Sequence, residues 1–338
     1  MIIGITIANY IELPIPIFPV FAGMVVIALL LGSHRYLQSV AILLCFLLMG
    51  MFLMQRQLSM PDESQSVSRI DCSKQFFLSQ RSKLLERFAD GGVDGDAYAV
   101  VAAMSLGDKS ALTRDLKDTY SVSGASHVLA LSGLHLGIIY MLLSVLLPRR
   151  RLPALSQLLI ILFIWAFVFL VGMSVSVVRS ALMLAVCGLL SIGNRDKMSI
   201  NALAFTAIVM LMWNPAWLFD VGFQMSFLAV FAILLFVPLF DDVFSAEYLM
   251  AHRWIKRIWG LVVVSCSAQL GVAPLIAFYF GRFSTYFLLT NFIVIPAAMA
   301  ILWLSLVVLL FPSLAYILLY IVQCLNTILS RITAFPGA

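Results

Sequence analysis

Long apolar runs separated by short polar turns organise the chain. Stretches 153–171, 199–213, 258–280 and 286–310 carry few or no ionisable side chains, and about 20 such residues span a hydrocarbon core of about 30 Å. They predict membrane-spanning helices. The runs are apolar on every side and rich in Leu and Ala, whereas a transmembrane β-strand alternates lipid and lumen faces with a period of two. The pattern predicts an all-α fold, a polytopic integral membrane helix bundle of roughly nine to eleven apolar helices, some kinked or broken.

Three shorter apolar stretches open the chain, 1–11, 17–31 and 37–54, divided by the Pro14–Pro19 turn and the polar turn Ser33–Tyr36. They make an N-terminal transmembrane hairpin region, 1–54. Residues 55–96 are polar and mixed in charge and read as an extracytoplasmic linker. Within it, Phe76–Phe88 sets Phe77, Leu84, Leu85 and Phe88 roughly on one face, the pattern of an interfacial helix. The apolar pattern resumes over 97–338, a second transmembrane domain that opens with the weakly amphipathic Ala97–Leu106. Its next segment, Gly124–Leu147, is long and apolar but polar in its first half. The N-terminus shows no basic n-region and no small-residue cleavage site, so no removable signal peptide is expected.

Composition sharpens this picture. Of 338 residues 63% are hydrophobic and 11% charged, and mean hydropathy is +1.06; soluble domains are nearer one quarter charged. A water-soluble core cannot absorb that much apolar surface. The net charge of +5 comes from 21 basic and 16 acidic residues that sit mostly between spans, so charge alone indicates no nucleic-acid face. Cys45, Cys187, Cys266 and Cys324 lie in apolar runs and Cys72 stands alone in a polar one. That spacing makes neither a disulfide framework nor a zinc site, and no metal or other cofactor is expected.

Lysine and arginine set the orientation, because short basic loops stay cytoplasmic. Arg149, Arg150 and Arg151 anchor one such loop, and alternation places the loops holding Arg195 and Lys197, and Arg253, Lys256 and Arg257, on the same side. Segment 55–96 and the tail after Arg331 then fall outside.

Polar side chains at membrane depth need a partner or a wet cavity, since a charge there costs about 2.5–3.5 kcal/mol on insertion scales. Gly124–Ile138 holds His127, Ser132 and His135; on one continuous helix a broad face could carry all three. Gly133 and Gly137, four apart, would form a small-residue ridge for a neighbouring helix. Histidines bonded to neighbouring helices and histidines lining a pore are both open readings. Arg179 and Ser180 sit about one turn into their span, and Asp220 and Gln224 lie one turn apart after the helix-boundary signal Asn214-Pro215. An Arg179–Asp220 ion pair near the outer leaflet is expected, with a snorkelling arginine as the alternative. Gln269 precedes Pro274 by five residues and Asn291 precedes Pro296 by five, so two successive spans join an amide to a helix-breaking proline. Paired broken helices point to a transport pathway.

In order, AMSLGDKS (103–110), HVLALSGLHLGI (127–138), VVRSALM (177–183), NPAWLFDVGFQMSFLAV (214–230), QLGVAPL (269–275) and TNFIVIP (290–296) resemble the competence domain of the ComEC family of DNA-uptake proteins. The resemblance makes 97–338 a competence-type transmembrane channel domain. It implies a multi-pass protein of the bacterial plasma membrane that carries single-stranded DNA to the cytoplasm. A cytoplasmic motor ATPase, an extracytoplasmic DNA receptor and a separate nuclease would be its partners. Family members commonly carry an OB-like outer domain, whose place holds only the polar segment here. Many also carry a metallo-β-lactamase-like nuclease, for which the histidines His34, His127, His135 and His252 form no ligand cluster.

The leading expectation is a channel lined by His127, Ser132, His135, Gln269 and Asn291, with Gly133, Gly137, Arg179, Asp220, Gln224, Pro274 and Pro296 in structural or gating roles and no catalytic residue. Two alternatives compete. One is a proton-coupled small-solute carrier using His127, Asp220 and Arg179. The other is an intramembrane hydrolase with Ser132 as nucleophile and His135 as base, three apart on a helix.

Overall fold

Gly107 at φ 72° and Gly281 at φ 61° end the helices Gly95–Leu106 and Arg253–Phe280 in the left-handed conformation, which glycine adopts without a Cβ penalty. A computed structural model describes residues 1–11, 17–30, 35–59, 69–147, 153–192, 200–241, 243–244, 248, 251–281 and 286–335. Over these residues the helices are, in order, α1 (Ile2–Tyr10), α2 (Ile17–Leu30), α3 (Arg35–Ser59), α4 (Arg69–Asp90), α5 (Gly95–Leu106), α6 (Arg114–Val122), α7 (Ser126–Leu129) and α8 (Gly133–Leu146). They continue as α9 (Pro153–Leu170), α10 (Val175–Ile192), α11 (Ile200–Trp213), α12 (Val221–Asp241), α13 (Arg253–Phe280), α14 (Phe287–Leu310) and α15 (Ala315–Thr333). No strand occurs among the described residues. Among the described residues, six helices are long and apolar enough to cross a membrane, and five more apolar helices are shorter. The fold is an all-α, polytopic membrane bundle. The loops at 149–151 and 193–198, used above for orientation, lie outside the described residues.

The chain forms two units. The smaller joins Met1–Ser66 to Ala204–Gln224. In it, α1 and α2 both pack on α3, and Gly4 lies against the Leu47 carbonyl while Gly50 lies against that of Met1. Side chains larger than hydrogen would push these helices apart.

The larger unit joins Val67–Leu203 to Met225–Ala338, and its centre is α5. Ala97 and every residue from Ala99 to Leu106 are buried, packed with Val294, Ala298, Ile301 and Val308 of α14 and Leu318, Val322 and Leu325 of α15. The weak amphipathicity read from Ala97–Leu106 is corrected: protein surrounds this helix on nearly every side. The amphipathic Phe76–Phe88 stretch does form a helix, within α4, and its Leu85 and Phe88 join the same core. A second core joins α8, α9 and α10 through Leu136, Ile160, Ile164, Val168, Val177 and Ala181.

Lipid tails are as apolar as leucine, so close packing rather than burial from water holds such helices together. Small residues provide it. A Cβ on Gly133 of α8 would stand 3.0 Å from Ser180 Oγ of α10. One on Gly271 of α13 would stand 2.5 Å from the Ala232 methyl and 2.8 Å from the Leu228 carbonyl, both on α12. Gly188 of α10 sits hard against the Gln157 amide of α9. The ridge expected from Gly133 and Gly137 reduces to Gly133, because a methyl at Gly137 would meet nothing within 4 Å.

Two further expectations change. Gly124–Leu147 is not one span: it divides into α7 and α8 around the non-helical residues Ala130, Leu131 and Ser132. The proline-bearing spans, in contrast, are unbroken, with Pro274 inside α13 and Pro296 inside α14. A proline deletes one N–H from a helix, and these long helices keep their assignment across the loss.

Candidate functional site

The polar first half of Gly124–Leu147 becomes a tight turn, a one-turn helix and a break. After α6, Gly124 turns the chain at φ 83°. The Thr290 hydroxyl of α14 donates to the Ser123 carbonyl at 2.7 Å, in a buried position, which pins this turn to the start of α14. α7 then lasts four residues, and Ala130 (φ −97°, ψ 130°) and Ser132 (φ −133°, ψ 177°) are extended. Ser132 is the N-cap of α8. Its N–H donates to His135 Nδ1 at 3.3 Å, and its carbonyl accepts from the N–H groups of His135 and Leu136 at 3.1 and 3.3 Å. Histidine thus takes the place of the Glu or Gln that normally reaches back in a capping box.

Accepting at Nδ1 puts the proton of neutral His135 on Nε2. The ring is fully buried. The Val128 carbonyl of α7 faces it, yet no atom meets Nε2 in hydrogen-bond geometry. His127, on α7, is exposed and lies 3.1 Å through Nδ1 from the Gly124 carbonyl. The single-helix face expected for the three residues is therefore replaced. Ser132 and His135 meet as a cap, and His127 stands on the other side of the break.

α14 packs against α7, α8 and α13. It brings Asn291, whose Oδ1 is buried without a hydrogen-bond partner, and α13 brings Ser267, whose hydroxyl is likewise unpartnered. Gln269 is half-buried on α13. Arg179 of α10 is 1% exposed, which removes the snorkelling alternative. It donates to Ser176 Oγ at 3.0 Å, and its guanidinium carbon is 5.7 Å from the Phe227 ring centroid, within cation–π range. Asp220, in the smaller unit, is exposed and caps α12 by accepting the Phe223 N–H at 2.7 Å. Gln224 donates to the Leu218 carbonyl at 2.9 Å. Both residues organise the entry to α12.

A family model described as "Competence protein" matches residues 104–338. The chain belongs to the competence protein family. It is 30% identical over 237 residues to ComE operon protein 3 of Bacillus subtilis, covering 69% of this chain and 28% of that one. Competence protein ComA of Neisseria gonorrhoeae is 31% identical over 156 residues, 43% of this chain and 22% of that one. An uncharacterised Aquifex aeolicus protein is 33% identical over 198 residues, 58% of this chain and 44% of that one. The chain thus spans less than half the length of these relatives. No solved structure matches it.

The competence match opens in the motif around Gly107, where the sequence alone assigned no role. The Asp108 carboxylate accepts the Ser110 N–H at 3.1 Å and pairs with Arg81 of α4 at 3.2 Å, both side chains about one fifth exposed. Gly107 sits so close to Leu131 that a Cβ would stand 2.6 Å from its Cδ1. A chain of contacts thereby runs from the polar helix α4 to the unwound Ala130–Ser132 segment. Nothing in the spacing of Arg81, Asp108 and Leu131 along the sequence announced it.

The geometry also bears on a competence protein acting as a hydrolase. Ser132 Oγ lies 3.1 Å from His135 Nδ1, close enough for a nucleophile and its base. The same nitrogen already accepts the serine's own N–H, so the pair is accounted for as a helix cap.

Proposed function

We propose that this chain is the transmembrane part of a DNA-uptake system and conducts single-stranded DNA across the bacterial plasma membrane. The observation that carries the reading is the unwound Ala130–Ser132 segment inside the competence match, followed at once by the buried His135, whose Nε2 has no hydrogen-bond partner among the described residues. Irregular backbone at membrane depth is tolerated where protein or a water-filled cavity covers it. The names of two relatives agree with a competence role.

In this reading His127, Ser132, His135, Gln269 and Asn291 line or border the path, and Arg179 and Gly133 hold α8 and α10 together around it. Conduction needs a polar lining and no bond-making step. In this reading a motor ATPase supplies the energy, and a DNA receptor and a nuclease are the further partners.

The test is import of labelled DNA in a competent host lacking its own channel. The unmodified chain is compared with Ser132→Leu and Asn291→Leu, with membrane abundance measured in parallel. Import should fall in both variants at equal abundance. Undiminished import would remove these residues from the lining. Failure of the unmodified chain, even supplied with receptor and motor, together with proton-linked uptake of a small solute, would favour the carrier.

A further inference from the structure

The face that α15 turns away from the bundle is the wrong chemistry for lipid. Ala315, Leu318, Val322, Leu325, Leu329 and Ile332 are its buried side, packed on α5, α6 and α14. Tyr120 of α6 fixes the helix further, donating its hydroxyl to Asn326 at 2.8 Å. The opposite side carries Tyr316, Tyr320, Gln323, Thr327, Ser330 and Arg331, all exposed. At 100° per residue these six fall within an arc of about 100°, and they run about 22 Å along the axis.

No aliphatic side chain interrupts this arc, although α15 belongs to a segment long and apolar enough to cross a membrane. α9, by comparison, exposes Leu155, Leu158, Leu162 and Phe163, as a lipid-facing helix should. Tyr316 and Tyr320 are 66% and 73% exposed and one turn apart. The Thr327 and Ser330 hydroxyls donate to carbonyls of their own helix, Gln323 and Thr327, at 2.8 and 2.9 Å, which leaves oxygen lone pairs facing outward.

We infer that this face of α15 is a wetted contact surface for single-stranded nucleic acid, separate from the lining proposed within the bundle; the inference rests on the DNA-conducting reading above. Two exposed tyrosine rings in series offer stacking platforms that accept any base. The hydroxyl and amide groups below them can bond to bases or sugars, and Arg331 meets a phosphate at the end of the track. A single cation along the stripe suits passage, because a conducting site must release what it binds.

The native Cys324 provides a reporter, since it is exposed on the border of this face, while Cys45, Cys187 and Cys266 are half-buried. The experiment treats the full chain, carrying Cys72→Ser so that this cysteine of the polar segment gives no signal, in membrane vesicles with a membrane-impermeant cationic thiol reagent. Cys324 should react, the three half-buried thiols should not, and Cys324→Ala should abolish the signal. A single-stranded oligonucleotide should slow the reaction. Modification should block import in the Cys72→Ser chain and spare it when Cys324→Ala is added. Replacing Tyr316 and Tyr320 together by leucine should lower import roughly fivefold or more at unchanged abundance, the loss expected of one stacked base. An unreactive Cys324 would overturn the inference, as would reaction without oligonucleotide protection or effect on import, or disulfide dimers through Cys324 that mark a second copy as the occupant. Labelling reads the wetness of this face even if the chain imports no DNA, so failure here is distinct from failure of the DNA-conducting reading.

Discussion

The α7–α8 break and α14 pack against each other and invert a common expectation about where a membrane helix comes apart. α14 contains Pro296 and stays helical from Phe287 to Leu310. The segment Ala130–Ser132 contains no proline and is unwound. Capping chemistry makes the difference. His135 accepts the Ser132 N–H and the Ser132 carbonyl accepts those of His135 and Leu136, and Thr290 satisfies the Ser123 carbonyl at the preceding turn. A break persists at membrane depth when its backbone groups have partners, whereas one missing donor leaves a long, well-packed helix in place.

The sharpest way to break this comparison is His135→Leu, which removes the acceptor from the partly buried Ser132 N–H. An unsatisfied buried donor costs about 1–3 kcal/mol, so the variant should unfold at lower temperature in detergent and import DNA poorly per molecule inserted. His135→Gln restores an ordinary capping box and should recover most of the stability. Equal loss in both variants would show that the cap is not what His135 supplies.

Next in size is the Arg81–Asp108 pair. It lies between a surface pair, typically worth up to about 1 kcal/mol, and a buried one, where removal of a single partner costs about 3–5 kcal/mol. Arg81→Met and Asp108→Asn should each cost about 1–2 kcal/mol, with a coupling near 1 kcal/mol in a double-mutant cycle. Strict additivity would uncouple α4 from the Gly107 turn. Thr290→Val should cost about 1 kcal/mol through the lost bond to Ser123, read as lower thermal stability with α14 intact. Smallest of all, Pro296→Ala should change stability by less than about 1 kcal/mol and leave import unchanged, because α14 is already continuous. A large change in import would return Pro296 to a gating role.

The spans α9, α13 and α14 were legible from hydropathy alone, whereas the run 199–213, read as a span, is the shorter apolar helix α11. The amphipathic Phe76–Phe88 stretch also proved helical, as part of α4. The interruption near Ser132 was not legible. Hydropathy averages over a window longer than the break, and a Ser-x-x-His cap lacks the acidic or amide residue that marks a capping box. For the opposite reason, α5 was misread as weakly amphipathic: a helix buried on nearly every side carries no periodic signal. The polar arc of α15 was readable, because Tyr316, Tyr320, Gln323 and Thr327 recur at helical spacing. The apolar residues between them dominated the average.

The short central helix α5 also has a consequence for how the protein is made. Twelve residues rise about 18 Å, too little to cross a bilayer of about 30 Å, so α5 cannot be recognised as a span when it leaves the ribosome. Its walls, α14 and α15, are synthesised more than 180 residues later. A nascent chain halted before Phe287 lacks both walls and should be cleared by membrane proteases rather than accumulate.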